Sequence, residues 1–180
     1  NYYGVVGDEA NAIVPGKRML SSMAPTILLR KREDKGKEEH SESVAMILGA
    51  MGGSTIFTSV YQMISNIVEF GVSPGEATAA PRVHHQLVPD QLITFSPTTP
   101  LPAATVNALR ELGYRVEPHD YEFGNVQLIW VDPDGNVSAV SDPRFAGRAA
   151  VLDPDQAPAA SGSAPAVSEP ASAASPSSAR

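Results

Sequence analysis

The sequence predicts an α+β layered domain with a mostly antiparallel sheet. Two observations carry that expectation. Strand-like apolar segments come in pairs with the helical segments grouped between them, and there is neither a regular strand–helix–strand alternation nor an internal repeat. With 180 residues, 42% of them hydrophobic, the chain is long enough for one domain with a real core and too short for two ordinary ones.

The segment 1–14 carries Tyr2, Tyr3, Val5 and Val6 ahead of the polar run Gly7-Asp8-Glu9-Ala10-Asn11, and reads as a loop or short strand entering the Pro15-Gly16 turn. Ser21 and Ser22 then stand just before the apolar Ile27-Leu28-Leu29. Their hydroxyls and neighbouring N–H groups suit a carboxylate, and equally suit ordinary turn chemistry. Two strands, 26–30 and 44–48, form a long hairpin. Between them Arg30-Lys31-Arg32 is answered by Glu33, Asp34, Glu38 and Glu39, the pattern of a solvated tip.

The second strand runs Val44-Ala45-Met46-Ile47-Leu48 into Gly49-Ala50-Met51-Gly52-Gly53, and a helix follows from Ser54 to about Phe70. Ile56, Val60, Ile64 and Ile67, with Phe57, Tyr61 and Val68 beside them, give that helix its apolar face, and Ser54 is the expected N-cap. A strand feeding glycines into a helix start gathers free N–H groups and the positive end of the helix dipole around one point, which suits an anion or a developing oxyanion. A tight turn in which the glycines only relieve crowding is the alternative. No phosphate-loop or dinucleotide-binding spacing is present.

Ser73, Pro74 and Glu76 spell a capping box for a short second helix that Pro81 ends. His84 and His85 are adjacent, so in an extended segment they face opposite ways, and with His40 and His119 they are expected to be structural or exposed rather than metal ligands. Residues 91–95 read as a strand, and 101–112 as an amphipathic helix through Leu101, Val106, Leu109 and Leu112, closed by Gly113. Strands 114–122 and 126–132 follow. Asp132-Pro133-Asp134-Gly135-Asn136 turns the chain back through 137–140. Asp142 and Arg144 are expected to pair and fix the end of the last strand. Residues 154–180, almost wholly Ala, Ser and Pro, read as a disordered tail.

A net charge of −7 without a dense basic stripe argues against nucleic acid and anionic membrane surfaces as partners. With no cysteine, disulfides, zinc-thiolate sites and a cysteine nucleophile are excluded. No run of about 18 apolar residues is available to cross a membrane as a helix. The chain opens on Asn1, which suggests a fragment or a processed subunit.

Read together, the segments Pro15-Gly16-Lys17-Arg18-Met19-Leu20-Ser21-Ser22-Met23-Ala24-Pro25-Thr26, Gly49-Ala50-Met51-Gly52-Gly53-Ser54, Ala80-Pro81-Arg82-Val83-His84-His85-Gln86 and Ser141-Asp142-Pro143-Arg144 resemble the small subunit of γ-glutamyltranspeptidases, the glutathione hydrolases. The resemblance implies that residues 1–153 are the C-terminal part of that subunit. It implies an N-terminal-nucleophile hydrolase, an αββα sandwich made when a precursor cleaves itself into a large and a small subunit. In that family the new N-terminal threonine attacks the γ-glutamyl amide of glutathione or a related donor. Its own α-amine is the base, and the acyl group passes to water or to an amino acid or peptide acceptor.

By the same resemblance, Ser21 and Ser22 hold the donor's α-carboxylate, and the N–H groups of Gly52 and Gly53 form the oxyanion hole. No metal or organic cofactor is implied. The partners are the donor, the acceptor and the large subunit, and family members in bacteria are periplasmic or secreted. Asn1 is not the threonine, so the nucleophile is expected outside these residues and the fragment alone to be inactive. A related acylase of the same fold, and a non-catalytic homologue serving as a binding module, are the alternatives.

Overall fold

The computed structural model describes residues 9–32 and 41–152. The expectations for the tyrosine-bearing N-terminal segment, the charged hairpin tip with His40, and the Ala/Ser/Pro tail lie outside the described residues.

The hairpin forms as β1 (Thr26–Arg32) and β2 (Ser41–Gly49), antiparallel, with Thr26 opposite Leu48 and a bulge at Leu28/Leu29. The Asp132–Asn136 turn joins β6 (Gln127–Val131) to β7 (Val137–Ser141), and its Asp132 carboxylate accepts from the Asp134 and Asn136 N–H groups at 2.9 and 2.8 Å. β2 pairs with β6, giving a four-stranded antiparallel sheet in the order β1-β2-β6-β7. A second, three-stranded sheet holds β3 (Val83–His85), β4 (Leu92–Phe95) and β5 (Arg115–Pro118), with β4 and β5 parallel. Helix α3 (Ala103–Glu111) supplies the crossover between them, because parallel neighbours cannot be joined by a tight turn. The strand expected over 114–122 is therefore shorter, ending at Pro118.

Across the inner face of the larger sheet lies one nearly continuous helical rod. It is a 3-10 turn (Gly53–Thr55), α1 (Ile56–Ile64) and a π-helical turn (Ser65–Glu69). Ile56, Val60, Met63 and Ile67 of this rod pack on Met46, Leu48 and Leu128 of the sheet and on Val126 and Ala77. Burying each such side chain fully is worth about 1.5–3 kcal/mol. Phe57, Tyr61 and Val68 were grouped with the apolar face from their spacing, yet they are 49%, 64% and 57% exposed. Each follows a buried residue by one position, a rotation of about 100° that carries it off the core face.

Helix α2 (Pro74–Ala79) has the expected cap, the Ser73 hydroxyl accepting from the Glu76 N–H at 3.3 Å. Gly113 follows the last turn of α3 at φ 93°, a left-handed conformation that glycine adopts without strain. The helix is less buried than its periodicity implied, with Leu112 73% exposed. On the outer face of the larger sheet Ile27, Ile47 and Ile129 stand in one cross-strand row, each at least 40% exposed.

Candidate active site

The turn after β2 is shaped by backbone that only glycine tolerates well. Gly52 has φ 144° and Gly53 φ 59°. A Cβ on Gly52 would collide with the Thr55 hydroxyl. That hydroxyl donates to the Gly52 carbonyl at 2.8 Å, and the Thr55 N–H donates to the same oxygen at 3.2 Å. The expected N-cap is thereby corrected: Ser54 lies inside the 3-10 turn, Gly52 stands at the cap, and no side chain caps it. Among the described residues the N–H groups of Gly52 and Gly53 meet no acceptor. Two free donors at a helix start make an anion-binding point.

Behind this turn lies a second loop. The Met51 N–H donates to the Asn125 carbonyl at 3.3 Å, and the Gly124 N–H donates to the Met51 carbonyl at 3.1 Å. Gly124, at φ 75°, leaves no room for a Cβ because Ser59 and the Arg82 guanidinium press on it. Arg82 is wholly buried and donates to the Gly124 carbonyl, to Asp142 Oδ2 and to the Thr78 carbonyl. Burial lowers its pKa from the ordinary arginine value, opposed in part by the hydrogen bond and charge of Asp142.

The Asp142 carboxylate also accepts from the Val126 N–H at 3.2 Å and from the Arg144 N–H at 3.0 Å, and it pairs with the Arg144 guanidinium at 3.2 Å. The Asp142–Arg144 pair expected from sequence is present. Its buried partner Arg82 was not anticipated, because nothing local to Pro81-Arg82-Val83 distinguishes a core arginine from an exposed one. Arg144 reaches on to Thr99 and Thr78, and 3.7 Å away lies Glu122. Burial pushes Glu122 up, but hydrogen bonds from Thr98 and Ser96 and from the Thr98 and Phe123 N–H groups hold it below the usual carboxylate range.

Ser21 and Ser22 sit in an extended, largely exposed segment, where the Ser21 hydroxyl accepts from the Met23 N–H at 3.3 Å. Because Thr26 pairs with Leu48, the start of β1 and the end of β2 share one end of the sheet, so the serine pair and the glycine turn belong to the same edge. No hydrogen bond joins them among the described residues. His84 is buried with Nδ1 2.9 Å from the Thr58 hydroxyl and Nε2 2.7 Å from the Gln86 amide oxygen, so both ring nitrogens are partnered within the fold. Among the described residues no three His, Asp or Glu side chains gather as a metal ion would need.

An antiparallel sheet covered on one face by the helix that follows a glycine turn is part of the αββα sandwich of the N-terminal-nucleophile hydrolases, the class to which its solved neighbours belong. The chain is a member of the γ-glutamyltranspeptidase family, whose model, described as gamma-glutamyltranspeptidase, matches residues 1–152. It is 42% identical over 154 residues to a glutathione hydrolase proenzyme of Pseudomonas aeruginosa, and 42% identical over 147 residues to that of Escherichia coli. Those matches take in 86% and 80% of this chain but only 26% and 22% of the proenzymes. A solved γ-glutamyltranspeptidase from Pseudomonas nitroreducens, in complex with L-DON, superposes with a TM-score of 0.73 at 40% identity over 85% of this chain and 74% of that one.

Proposed function

We propose that this chain is the C-terminal part of the small subunit of a γ-glutamyl-transferring or glutathione-hydrolysing enzyme, and that it supplies the oxyanion donors and the donor-carboxylate site. The observation that carries the reading is the pair of free N–H groups at Gly52 and Gly53, held in place by the loop behind them. As the nucleophile attacks the γ-glutamyl carbonyl, charge develops on its oxygen, and two fixed N–H dipoles stabilise that charge without reorganising. Ser21 and Ser22, at the same edge, hold the donor's α-carboxylate by hydroxyl and backbone donors. The threonine that attacks, whose amine takes the proton, lies outside these residues. Alone, the chain does not turn over substrate.

The apolar row on the outer sheet face suits the second sheet of the sandwich, contributed by the rest of the small subunit and by the large subunit. The reaction calls for no metal or organic cofactor, and periplasmic or secreted placement follows the family. Among the described residues no helix is long and apolar enough to cross a membrane.

The test is to express the complete product of the gene, assay cleavage of γ-glutamyl-p-nitroanilide and weigh the subunits by mass spectrometry. Two chains with a new N-terminal threonine, and activity lost in the Ser21→Ala/Ser22→Ala double variant, are the expected results. An uncleaved, folded and inactive product would overturn the reading and favour a binding module.

A further inference from the structure

Two glycines in succession make the peptide unit between them the loosest in the turn. With no Cβ on either side, the Gly52–Gly53 plane can rotate by half a turn at little steric cost, exchanging the directions of its carbonyl and its N–H. Only one of those orientations offers a donor to an oxyanion. In the structure the Gly52 carbonyl faces Thr55 and accepts two hydrogen bonds from it, from the hydroxyl at 2.8 Å and from the N–H at 3.2 Å. Because this peptide is trans and planar, holding the carbonyl there turns the Gly53 N–H to the opposite side, where it meets no acceptor among the described residues.

The Thr55 N–H bond is the ordinary closure of a 3-10 turn and is open to any residue but proline. The hydroxyl bond belongs to the side chain. Thr55 is wholly buried, and its own carbonyl is held in turn, accepting from the Thr58 hydroxyl at 3.0 Å and from the Ser59 hydroxyl at 2.9 Å. Ser59 is buried as well and presses on Gly124 of the loop behind the turn, while the Thr58 hydroxyl meets His84 Nδ1 at 2.9 Å. Thr55 is thus anchored from both sides. A hydrogen bond to a carbonyl also polarises the N–H of the same peptide, which makes it a stronger donor.

We propose that Thr55 is a positioning residue for the oxyanion donors: its hydroxyl latches the Gly52–Gly53 peptide with the Gly53 N–H facing the reacting carbonyl, and strengthens that N–H as a donor. The inference rests on the oxyanion reading given above. Being wholly buried, Thr55 does not meet the substrate and acts through the glycine peptide. Its effect therefore falls on the charged tetrahedral oxygen far more than on the uncharged amide of the bound donor.

The test uses the complete gene product with Thr55→Val, which keeps the shape and removes the hydroxyl, and Thr55→Ser, which keeps the hydroxyl. In cleaved Thr55→Val protein, kcat for γ-glutamyl-p-nitroanilide should fall about tenfold, the scale of one hydrogen bond, with KM within about twofold of the unsubstituted value. Thr55→Ser should recover most of that loss. In protein made with nitrogen-labelled glycine, the Gly53 amide resonance should shift in Thr55→Val and hold its place in Thr55→Ser. An unmoved Gly53 resonance with kcat within about twofold in Thr55→Val, or a Thr55→Ser variant as slow as Thr55→Val, would overturn the inference. If the protein cleaves no donor, the transferase reading falls, while the Gly53 resonance still decides whether the hydroxyl holds the peptide. Should Thr55→Val not fold, the unsubstituted protein decides instead. A buried, bonded hydroxyl proton exchanges slowly with water, so the Thr55 hydroxyl resonance should be visible, and its absence would rule the latch out.

Discussion

The glycine turn and the serine pair share one end of the sheet, but they are built in opposite ways. The turn is wired from behind through Met51, Gly124, Arg82 and Asp142, each link a hydrogen bond or ion pair, and of these four residues Gly124, Arg82 and Asp142 are buried while Met51 is exposed. The serine segment has two local hydrogen bonds, Met23 N–H to the Ser21 hydroxyl and the Thr26 hydroxyl to the Ala24 carbonyl, and touches the core through Ala24. Fixed dipoles are useful at a developing oxyanion because they need no rearrangement as the charge appears. Carboxylate recognition tolerates a looser segment, since the donor itself helps to order it. Under the proposed function the difference means that the glycine N–H groups are positioned by this chain's own residues, whereas the serine segment is held by little besides itself.

The harshest way to break the comparison is Asp142→Ala. It strands the buried Arg82 charge, and removing one partner of a buried pair costs about 3–5 kcal/mol. Denaturant unfolding of the complete gene product should show that loss together with loss of activity. Restoring shape without charge, in Arg82→Met/Asp142→Leu, should recover much of the stability; a double variant no more stable than Asp142→Ala would refute the role given to the pair.

Gly52→Ala comes next. The positive φ and the Thr55 hydroxyl force the turn to move, and displacing one oxyanion donor costs about 2.7–4 kcal/mol of transition-state stabilisation, a fall in kcat of about 10²–10³. Stability should drop far less than in Asp142→Ala. A variant with unchanged kcat would show that the turn is only a turn.

For the serine side the expectation is inverted. Ser21→Ala/Ser22→Ala should leave stability within about 0.5 kcal/mol, as surface changes do. Donor KM should nevertheless rise about tenfold or more, the scale of lost hydrogen bonds to a charged group. A large drop in stability would erase the contrast between the two regions.

The smallest effect concerns pH. Burial lowers the His84 pKa from its ordinary 6.5, so the unfolded chain takes up the proton first. That contribution to stability is fully present above pH 6.5 and is lost as pH falls through the lower folded value. Midpoints of unfolding measured from pH 8 to 5 should therefore decline, and less steeply in His84→Gln, with His119, whose pKa burial also lowers, retaining its own slope. Equal slopes would remove His84 from the account.

Local signals explain what could be read in advance. The Asp132–Asn136 turn and the Ser73 cap each declare themselves in a few adjacent residues, because turn and cap chemistry is local, while the β1–β2 hairpin follows from two apolar strands flanking one charged stretch. The spacing of Ile56, Val60 and Ile67 found the helix, but it mistook Phe57, Tyr61 and Val68 for its core face, since apolar identity alone does not say which side the sheet covers. Ser54 passed for an N-cap because its type fits, whereas the backbone of Gly52 decides where the turn begins. Gly52, Gly53, Ser21 and Ser22 are proposed as site residues on four motifs in order rather than on any one of them.

Periodicity and turn chemistry by themselves determined an α+β fold and its antiparallel hairpins, and four motifs in order carried the resemblance to the family. Tertiary structure alone decided that Arg82 reaches Asp142 across 60 residues of chain, and that Gly124 backs the Met51 carbonyl. These are long-range juxtapositions of polar groups. Their energy depends on which distant partner burial supplies, and no local pattern in the sequence encodes that.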